Sequence, residues 1–402
     1  MEGNSRMSES ADIVIIGGGI TGVTTAFLAA RRGAGRIVLL EASVLASAST
    51  GLSTGVVRQF YLIRELVEMA REGIAWYSRF GEVADGMDAD FVNSGLVVGG
   101  TSGQREFFAS GIKLQKGSRS RILSPSELRD LLPHMATDDL DCAYYEPEAG
   151  YADASRACLA LAAAARARGA DIRQSSPAVG ILTDPAGVSA VITKTGEIST
   201  RVVVNAAGPW ASRVASWAGV TVGIKPTRHK VITVQRPNAL TGRHPIFSDA
   251  VNLFYMRPDS TSQILIGSTN PADSREEIDP DSYATGANFD EIAELIDRAV
   301  RRIPCLRDVG LVANWCGIYD ETADGFPVLG QSHEVRGFYL ATGLSGHGFK
   351  LAPAIGRMIV SAIVDGTKEP AMHLLRPSRF AEGAAIDSPT TTTLTTMRAS
   401  AR

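Results

Sequence analysis

The sequence predicts two fold classes in one chain, an α/β domain and an α+β domain inserted into it. Residues 12–41 alternate a buried strand, a helix and a second strand, which is the opening of a parallel sheet. Between about Val222 and Ile318 the pattern changes to longer strands with one helix, typical of an α+β domain. Residues 337–364 then return to strand, glycine-rich loop and helix. The α/β domain is therefore expected to be discontinuous in sequence.

Length and composition predict a folded protein with at least one large core. The 402 residues correspond to about 2.7 domains of ~150 residues. With 45% hydrophobic and 21% charged residues, the chain is neither a disordered protein nor a disulfide-stapled miniprotein. The formal net charge is −3 and the pI about 6.1, so no global positive field attracts nucleic acid or acidic lipid. Small molecules are the expected partners.

The cysteines and histidines exclude the common metal sites. Cys142, Cys158, Cys305 and Cys316 form no CxxC pair, and the histidines form no HExxH motif. No run approaches the ~18 apolar residues of a membrane span, and the polar N-terminus has no secretory signal. We therefore expect a cytoplasmic protein with reduced thiols and no metal. The oligomeric state is not predicted.

Individual elements follow from local patterns. DIVIIG (12–17) and RIVLLE (36–41) are expected strands, and the segment from Ile20 to Arg32 has helical spacing. Ser124 and Asp153 are expected to cap the helices that follow them. Other predicted elements are helices over 64–80, 154–168 and 288–302, strands over 89–98, 230–235, 252–258 and 263–268, a strand meander over 171–204, and a solvated basic loop over 104–121.

These patterns divide the chain into two interleaved domains. The nucleotide-binding domain is predicted to comprise 11–85, 150–221 and 325–375, and the substrate-binding domain 86–149 and 222–324. Residues 1–10 and 381–402 are predicted to be disordered, because they show no apolar period.

The strongest local motif is VIIGGGITG. Gly17, Gly19 and Gly22 satisfy GxGxxG directly after a strand and at the start of a helix. The first glycine permits a tight turn, the second lets a pyrophosphate approach the helix N-terminus, and the third lets helix and strand pack. Glu41 ends the second strand, where a carboxylate can accept ribose hydroxyls. An adenine dinucleotide is expected; a glycine-rich turn that binds nothing leaves Glu41 without a role.

Four further blocks carry a resemblance to a known family. They are LASASTGLSTGVVRQFY after Glu41, VVVNAAGPWA, NWCGIYDETADGFPVLG and GFYLATGLSGHGFKLAPAIGRMI. In this order they resemble the D-amino-acid oxidase superfamily of flavoproteins, in particular its glycine oxidase and sarcosine oxidase branch, over about residues 11–375. The resemblance implies FAD, held in a Rossmann-like domain of the glutathione-reductase type with an inserted antiparallel-sheet substrate domain.

The same resemblance implies a set of cofactor contacts. The Ser/Thr/Gly run after the second strand would follow the flavin and pyrophosphate, and NAAGPWA would pass its backbone beneath the cofactor. The loop 343–348 would cap the isoalloxazine, with the next helix N-terminus near the pyrimidine carbonyl. The predicted cofactor-binding residues are Gly17, Gly19, Gly22, Glu41, Ser49, Thr50, Ser53, Val179, Ala207, Gly208, Cys316, Gly343, Gly346, His347, Gly348, Phe349 and Lys350.

Two cations are predicted to bind the substrate. Sarcosine oxidases hold the substrate carboxylate with an Arg after the Ser/Gly run and with the Lys of SGHGFK, and these positions match Arg58 and Lys350. An arginine grips a carboxylate bidentately and a lysine acts as a point charge. This clamp would fix the substrate C–H over the flavin. The alternative is that Arg58 pairs with a surface acid while Lys350 extends to solvent from the helix start.

The sequence also departs from the family pattern. Glycine and D-amino-acid oxidases place an arginine before DGxP where this chain has Tyr319, so the sarcosine-type clamp fits better. Leu265 falls about where sarcosine oxidases carry a lysine tied to oxygen activation, which leaves the electron acceptor open. Tyr255 is a candidate pocket wall or hydrogen-bond donor, or simply a core residue. His347 is predicted either to tune the flavin and amine or to bond the backbone.

Cys316 lies near the position at which sarcosine oxidases tether FAD through a thioether. Covalent attachment through Cys316 is therefore one hypothesis. The other is a buried free cysteine, as is common in proteins.

The function predicted from these residues is FAD-dependent oxidation of glycine or, better, an N-substituted glycine. The imine product would hydrolyse, and O2 would be reduced to H2O2. The alternatives are a dehydrogenase subunit that passes electrons to a partner protein, a non-catalytic FAD-binding assembly protein, and a nicotinamide-dependent enzyme or flavin hydroxylase.

Overall fold

A computed structural model describes residues 9–240, 242–274 and 276–388. The helices are α1 (Ile20–Arg31), α2 (Arg64–Ser78), α3 (Phe80–Val83), α4 (Arg105–Leu114), α5 (Pro125–Leu131), α6 (Ala154–Ala167), α7 (Ala211–Trp217), α8 (Phe289–Arg302), α9 (Gly348–Val364) and α10 (Pro370–Leu374).

The strands are β1 (Glu9–Ser10), β2 (Ile13–Ile16), β3 (Ile37–Leu40), β4 (Val56–Val57), β5 (Leu96–Gly100), β6 (Arg121–Leu123), β7 (Cys142–Glu146), β8 (Gly150–Tyr151), β9 (Asp171–Arg173), β10 (Ala178–Asp184), β11 (Gly187–Thr193), β12 (Gly196–Ser199), β13 (Val203–Asn205), β14 (Lys225–Gln235), β15 (Ile246–Asp249), β16 (Phe254–Pro258), β17 (Gln263–Ser268), β18 (Leu311–Glu321), β19 (Val328–Gln331) and β20 (Phe338–Thr342).

A six-stranded sheet, ordered β19-β20-β13-β2-β3-β9, forms the nucleotide-binding half and is parallel except for β19. Its central strands are apolar throughout because both faces are covered. Ile13 and Ile15 pack on one side against α1, α2, α6 and α9. Val14 and Ile16 pack on the other side against α7 and the sheet β1-β12-β11-β10. Because successive side chains of β2 point to opposite faces of the sheet, this one short strand contributes to two hydrophobic cores.

An eight-stranded sheet, ordered β18-β14-β17-β16-β15-β5-β7-β6, forms the other half. Its pairs are antiparallel except for β15 with β5. Residues such as Val97, Ile232 and Phe254 face a core with α5 and α8. The opposite face presents Tyr319 and Tyr255 to a large cavity.

The fold class predicted from the sequence is confirmed, and several local predictions hold. Ser124 and Glu127 form a capping box at α5. Asp153 caps α6 through the N–H of Arg156. The division into domains stays a prediction, although the strands of the eight-stranded sheet come from 96–146 and 225–321.

Four local predictions need correction. The strand expected over 89–98 begins only at Leu96, and the expected loop 104–121 contains α4, whose Phe107 and Phe108 are buried. Only β10, β11 and β12 form the meander expected over 171–204, because β9 and β13 join the parallel sheet. Glu9 and Ser10 pair with β12, and the N–H of Ile386 donates to Asp324, so the disorder predicted at the ends does not reach these residues. Residues 1–8 and 389–402 lie outside the described residues.

Candidate active site

The cavity, of about 770 Å³, lies between the two large sheets. One side is formed by the segments that follow β2, β3, β13 and β20, at the carboxyl ends of neighbouring strands, where α/β sheets bind their ligands. The other side is the free face of the eight-stranded sheet. The volume is in the usual range for ligand and cofactor sites, ~300–1,000 Å³.

The glycine motif has the local geometry that the sequence predicts. Gly17 has φ +117°, and a Cβ there would overlap the carbonyl oxygen of Ala206. A Cβ on Gly22 would overlap the carbonyl oxygen of Gly17, so the third glycine allows α1 to pack on β2. Gly17 and Gly19 line the cavity, whereas Gly22 does not. Gly22 therefore shapes the loop and makes no contact within the cavity.

Glu41 lines the cavity directly beside this loop. Its Oε2 accepts the N–H of Gly18 at 2.7 Å, and its Oε1 accepts the N–H of Ser43 at 2.7 Å. The carboxylate is thereby fixed at the end of β3 with lone pairs left for ribose hydroxyls.

Hydroxyl groups complete the cradle around the first turn of α1. Thr50 Oγ1 accepts the N–H of Ile20 at 3.0 Å, and Ser53 Oγ accepts the N–H of Gly55 at 3.1 Å. Ser49 Oγ and Thr21 Oγ1 are buried with no hydrogen-bond partner among the described residues, yet both residues line the cavity. Buried polar groups normally have partners. These two orphaned hydroxyls, the room left by Gly17 and the α1 N-terminus fit a bound FAD.

Other predicted cofactor residues also lie in the cavity wall. Val179, Ala207, Gly208, Gly346, His347, Gly348 and Phe349 all line it. Gly343 does not; its φ is +66°, and a Cβ there would lie 2.5 Å from Thr322 Cγ2. Gly343 is therefore a packing position at the start of the loop.

Asp320, which the sequence analysis missed, supports this glycine loop from below. It is 5% exposed, and its carboxylate accepts backbone N–H groups of residues 343–345. Burial raises the pKa of Asp320 to about 6, although those hydrogen bonds lower it. The sequence signal that could have identified Asp320 is an acidic residue directly after Tyr319 in the block NWCGIYDETADGFPVLG.

Arg58 and Lys350 line the same cavity. Arg58 follows β4 and donates to the carbonyl oxygen of Phe60 at 2.6 Å. Lys350 lies in the first turn of α9 and is only 5% exposed. Its Nζ donates a hydrogen bond to the carbonyl oxygen of Gly346 at 3.4 Å. Burial and the nearby charge of Arg58 hold the pKa of Lys350 well below its usual range.

His347 is also buried, and its Nδ1 lies 2.8 Å from the hydroxyl of Tyr61. The guanidinium of Arg58 lies over the ring of Tyr61 at 5.1 Å. Burial, with the charges of Lys350 and Arg58, keeps the pKa of His347 well below 6.5. The imidazole is therefore neutral at physiological pH.

An aromatic wall covers the sheet side of the cavity. The rings of Tyr319 and His229 stack with centroids 3.7 Å apart. His229 Nε2 is 3.1 Å from Thr227 Oγ1 and 3.3 Å from Glu321 Oε1. Tyr255 donates to Thr54 Oγ1 at 3.3 Å. The sequence predicted Tyr319 and Tyr255 but not His229, because β14 and β18 become neighbours only in the folded sheet.

Cys316 does not lie in the cavity wall. It is paired with Lys230 on the face of β18 opposite Tyr319, and Arg228 Nη1 donates to its Sγ at 3.2 Å. Burial raises the pKa of the thiol. The contact of Cys316 with the cofactor stays a prediction, and this orientation does not support it. Residues an odd number of positions apart on one strand face opposite sides of the sheet, as Cys316 and Tyr319 do.

Two absences hold for the part of the chain that the structure describes. It contains no group of three or more His, Cys, Asp or Glu side chains able to hold a metal. It also contains no helix that is long and apolar enough to cross a membrane.

Comparisons with known proteins agree with this geometry. A family profile described as FAD dependent oxidoreductase matches residues 12–362. The chain is 32% identical to human mitochondrial sarcosine dehydrogenase over 392 residues, covering 94% of this chain and 42% of that protein. It is 28% identical to glycine oxidase of Geobacillus kaustophilus over 370 residues, covering 89% and 94%. The chain thus spans less than half of that sarcosine dehydrogenase.

A solved structure is similar over nearly the whole chain. The crystal structure of L-proline dehydrogenase from P. horikoshii superposes with a TM-score of 0.86 at 26% identity, covering 94% of this chain and 100% of that one.

Proposed function

The chain belongs to the family of FAD dependent oxidoreductases, and on that premise we propose that it oxidises the amine of a small N-substituted glycine. Bound FAD supplies the two-electron acceptor for the C–H bond beside the substrate nitrogen. The observation that carries this proposal is the presence of Arg58 and the buried Lys350 in one cavity wall.

The clamp favours an anionic substrate. Burying an ammonium is costly unless a counter-ion is present, and the depressed pKa of Lys350 reflects that cost. A substrate carboxylate would supply the counter-ion and accept hydrogen bonds from Arg58 and Lys350. The positive charges of Arg58 and Lys350 disfavour an additional ammonium group nearby, which suits an amine bound in its unprotonated form.

The remaining wall favours a substituent on the substrate rather than glycine itself. Leu96, Val98 and Ile246 line the cavity from β5 and β15, and Phe60 lies two residues from Arg58. Apolar surface of this kind stabilises buried CH2 and CH3 groups by ~0.8 kcal/mol each. Three relatives are named for sarcosine, glycine and L-proline. Each of these amino acids has a carboxylate next to an amine-bearing carbon, which supports the same substrate class.

The proposed overall reaction converts the amine and O2 into an imine and H2O2, and the imine then hydrolyses. The second candidate is a dehydrogenase that passes electrons to a partner protein. Leu265 favours it, because a buried apolar side chain stands about where sarcosine oxidases carry the lysine tied to oxygen activation. Location in the cytoplasm stays a prediction.

The test is anaerobic bleaching of the FAD absorbance by glycine, sarcosine, N-ethylglycine and L-proline, with dimethylamine as the matched amine without a carboxylate. We expect bleaching by the N-substituted amino acids and none by dimethylamine. Equal bleaching by dimethylamine, or no bleaching by any amino acid, would contradict the proposal. Oxygen uptake compared with reduction of an artificial dye then separates oxidase from dehydrogenase.

A further inference from the structure

A buried carboxyl group, Glu146, lies directly behind the wall that carries Arg58. It ends β7 on the cavity-facing side of the eight-stranded sheet, opposite Leu96, and its exposed fraction is 0%. It is not itself a lining residue. Its Oε1 accepts the N–H of Gln59 at 2.8 Å, and its Oε2 accepts the hydroxyl of Tyr144 at 2.6 Å.

This contact anchors one end of the segment that carries Arg58. Gln59, the next residue, is held by Glu146, and Tyr61 is held by His347 on the other side of the segment. Between these two anchors, Arg58 turns back to donate to the carbonyl oxygen of Phe60. The direction of the guanidinium therefore depends on both buried contacts.

The surroundings of Glu146 are polar but contain few charges. Tyr144 also contacts Gln115 and Ser120, and Gln59 Nε2 donates to Ser118. The charged groups that act on Glu146 are Arg58 from the cavity side and Glu148 from its own strand's end. Glu148 is itself paired with Arg119 at 2.9 Å. Beyond Arg58 lie the buried His347 and Lys350.

We propose that Glu146 is a positioning residue for the substrate clamp: it fixes Arg58 through the Gln59 N–H, and its ionisation sets the affinity of the site for a carboxylate. The inference rests on the proposed function, because it assumes that Arg58 binds an anionic substrate. A negative charge behind Arg58 opposes a second negative charge in front of it. Substrate therefore binds best when Glu146 is neutral.

The affinity for a carboxylate should fall as the pH rises. Burial raises the pKa of Glu146 to about 7, while hydrogen bonds from Tyr144 and Gln59 and the charge of Arg58 lower it. Below pH ~7 the carboxyl is protonated, so no negative charge on Glu146 competes with the substrate carboxylate for Arg58. Above pH ~7 the carboxylate forms, and carboxylate affinity falls as the pH rises through this value.

The experiment is a binding titration of the FAD-loaded protein with methoxyacetate, which resembles sarcosine but has no oxidisable amine and stays ionised from pH 5.5 to 8.5. The readout is the perturbation of the FAD absorbance, so no turnover is needed. In the wild type the dissociation constant is expected to rise about three- to tenfold between pH 6 and 8.

Glu146→Gln keeps both hydrogen bonds, since its amide oxygen accepts from Gln59 and its NH2 donates to Tyr144. It should bind with the wild-type low-pH affinity and lose most of the rise. Glu148→Gln is the matched control, because the Arg119 partner and backbone N–H groups keep the pKa of Glu148 low and this acid does not titrate in the range. It should retain the rise, displaced toward lower pH, because the charge of Glu148 is one of the factors that raise the pKa of Glu146. Glu146→Leu, which removes the anchor of Gln59, should weaken binding at every pH.

The outcomes separate the two proposals. If methoxyacetate binds, and Arg58→Ala weakens it, but Glu146→Gln shows the wild-type pH dependence, the role of Glu146 is wrong and the clamp stands. If methoxyacetate does not bind at any pH, or Arg58→Ala leaves its affinity unchanged, the clamp fails and the role of Glu146 fails with it.

Discussion

The imidazole of His229 lies against the phenol ring of Tyr319, with an interplanar angle of 22° and 3.7 Å between the centroids. The two residues are 90 positions apart in sequence and meet because β14 and β18 pair along their whole length. The stack holds the Tyr319 ring in the cavity wall, and a Cβ on Gly346 would overlap that ring. Within the described residues, no hydrogen bond to the Tyr319 hydroxyl is found, so a ligand can accept from it.

Tyr319→Phe should therefore weaken substrate binding about three- to tenfold, the worth of one hydrogen bond of ~1 kcal/mol. His229→Ala should weaken it at least as much, because the ring loses its stacking partner. Methoxyacetate titration measures both. Tyr145→Phe, on the opposite face of the same sheet, is the control. If Tyr319→Phe and His229→Ala both bind methoxyacetate like the wild type, Tyr319 is not part of the substrate-binding site.

The clamp itself makes a larger prediction. Arg58→Ala and Lys350→Met should each raise the Michaelis constant by about 30-fold or more, because a buried carboxylate loses a charged partner worth ~2 kcal/mol. Arg32→Ala, which breaks only exposed contacts with Asp365 and Ser361, should leave it unchanged. Steady-state kinetics with sarcosine check all three; wild-type constants in the first two would exclude the clamp.

We expect the affinity for FAD to depend on Glu41. Glu41→Gln keeps the size of the side chain but removes its charge, and it replaces with an NH2 group one of the two oxygens that accept the N–H groups of Gly18 and Ser43. The dissociation constant of FAD should therefore rise about tenfold or more. Titration of the apoprotein with FAD by fluorescence measures this, with the exposed Glu197→Gln as control. Equal FAD affinity in the two variants would mean that neither the charge of Glu41 nor its pair of backbone contacts contributes to FAD binding.

FAD should not be attached through Cys316. The thiol faces Arg228 on the far side of β18 from Tyr319. Acid precipitation should therefore leave the yellow colour in the supernatant, and Cys316→Ser should bind FAD like the wild type. A yellow pellet that turns colourless in Cys316→Ser would overturn this orientation of the strand.

The buried His347 should make the protein less stable in acid. Burial keeps the pKa of His347 well below 6.5, so the folded state stays neutral while the unfolded state binds a proton below ~6.5. Since the unfolded state then holds more protons, the free energy of unfolding falls as the pH drops below ~6.5. As the pH is lowered from 8 to 5, the melting temperature should fall less steeply in His347→Gln than in the wild type. Parallel declines would contradict this.

Local chemistry allowed much of the fold to be predicted. The βαβ opening, the glycine turn and the caps at Ser124 and Asp153 depend on residues within one turn or one strand of each other. Helix α4 was missed because Arg105, Lys113 and Lys116 suggested a solvated loop, whereas Phe107 and Phe108 bury one face.

The sequence by itself determined which chemical groups are present: a dinucleotide turn, a strand-ending acid and two cations in recognisable motifs. Only the tertiary structure decided which of them share a cavity. Strand pairing brings His229 to Tyr319 and turns Cys316 away, and burial makes Glu146 and Asp320 titrate near neutrality. Strand pairing across 90 residues and desolvation by distant elements are not properties of any local segment. The pattern of residues therefore could not reveal these contacts or these pKa shifts.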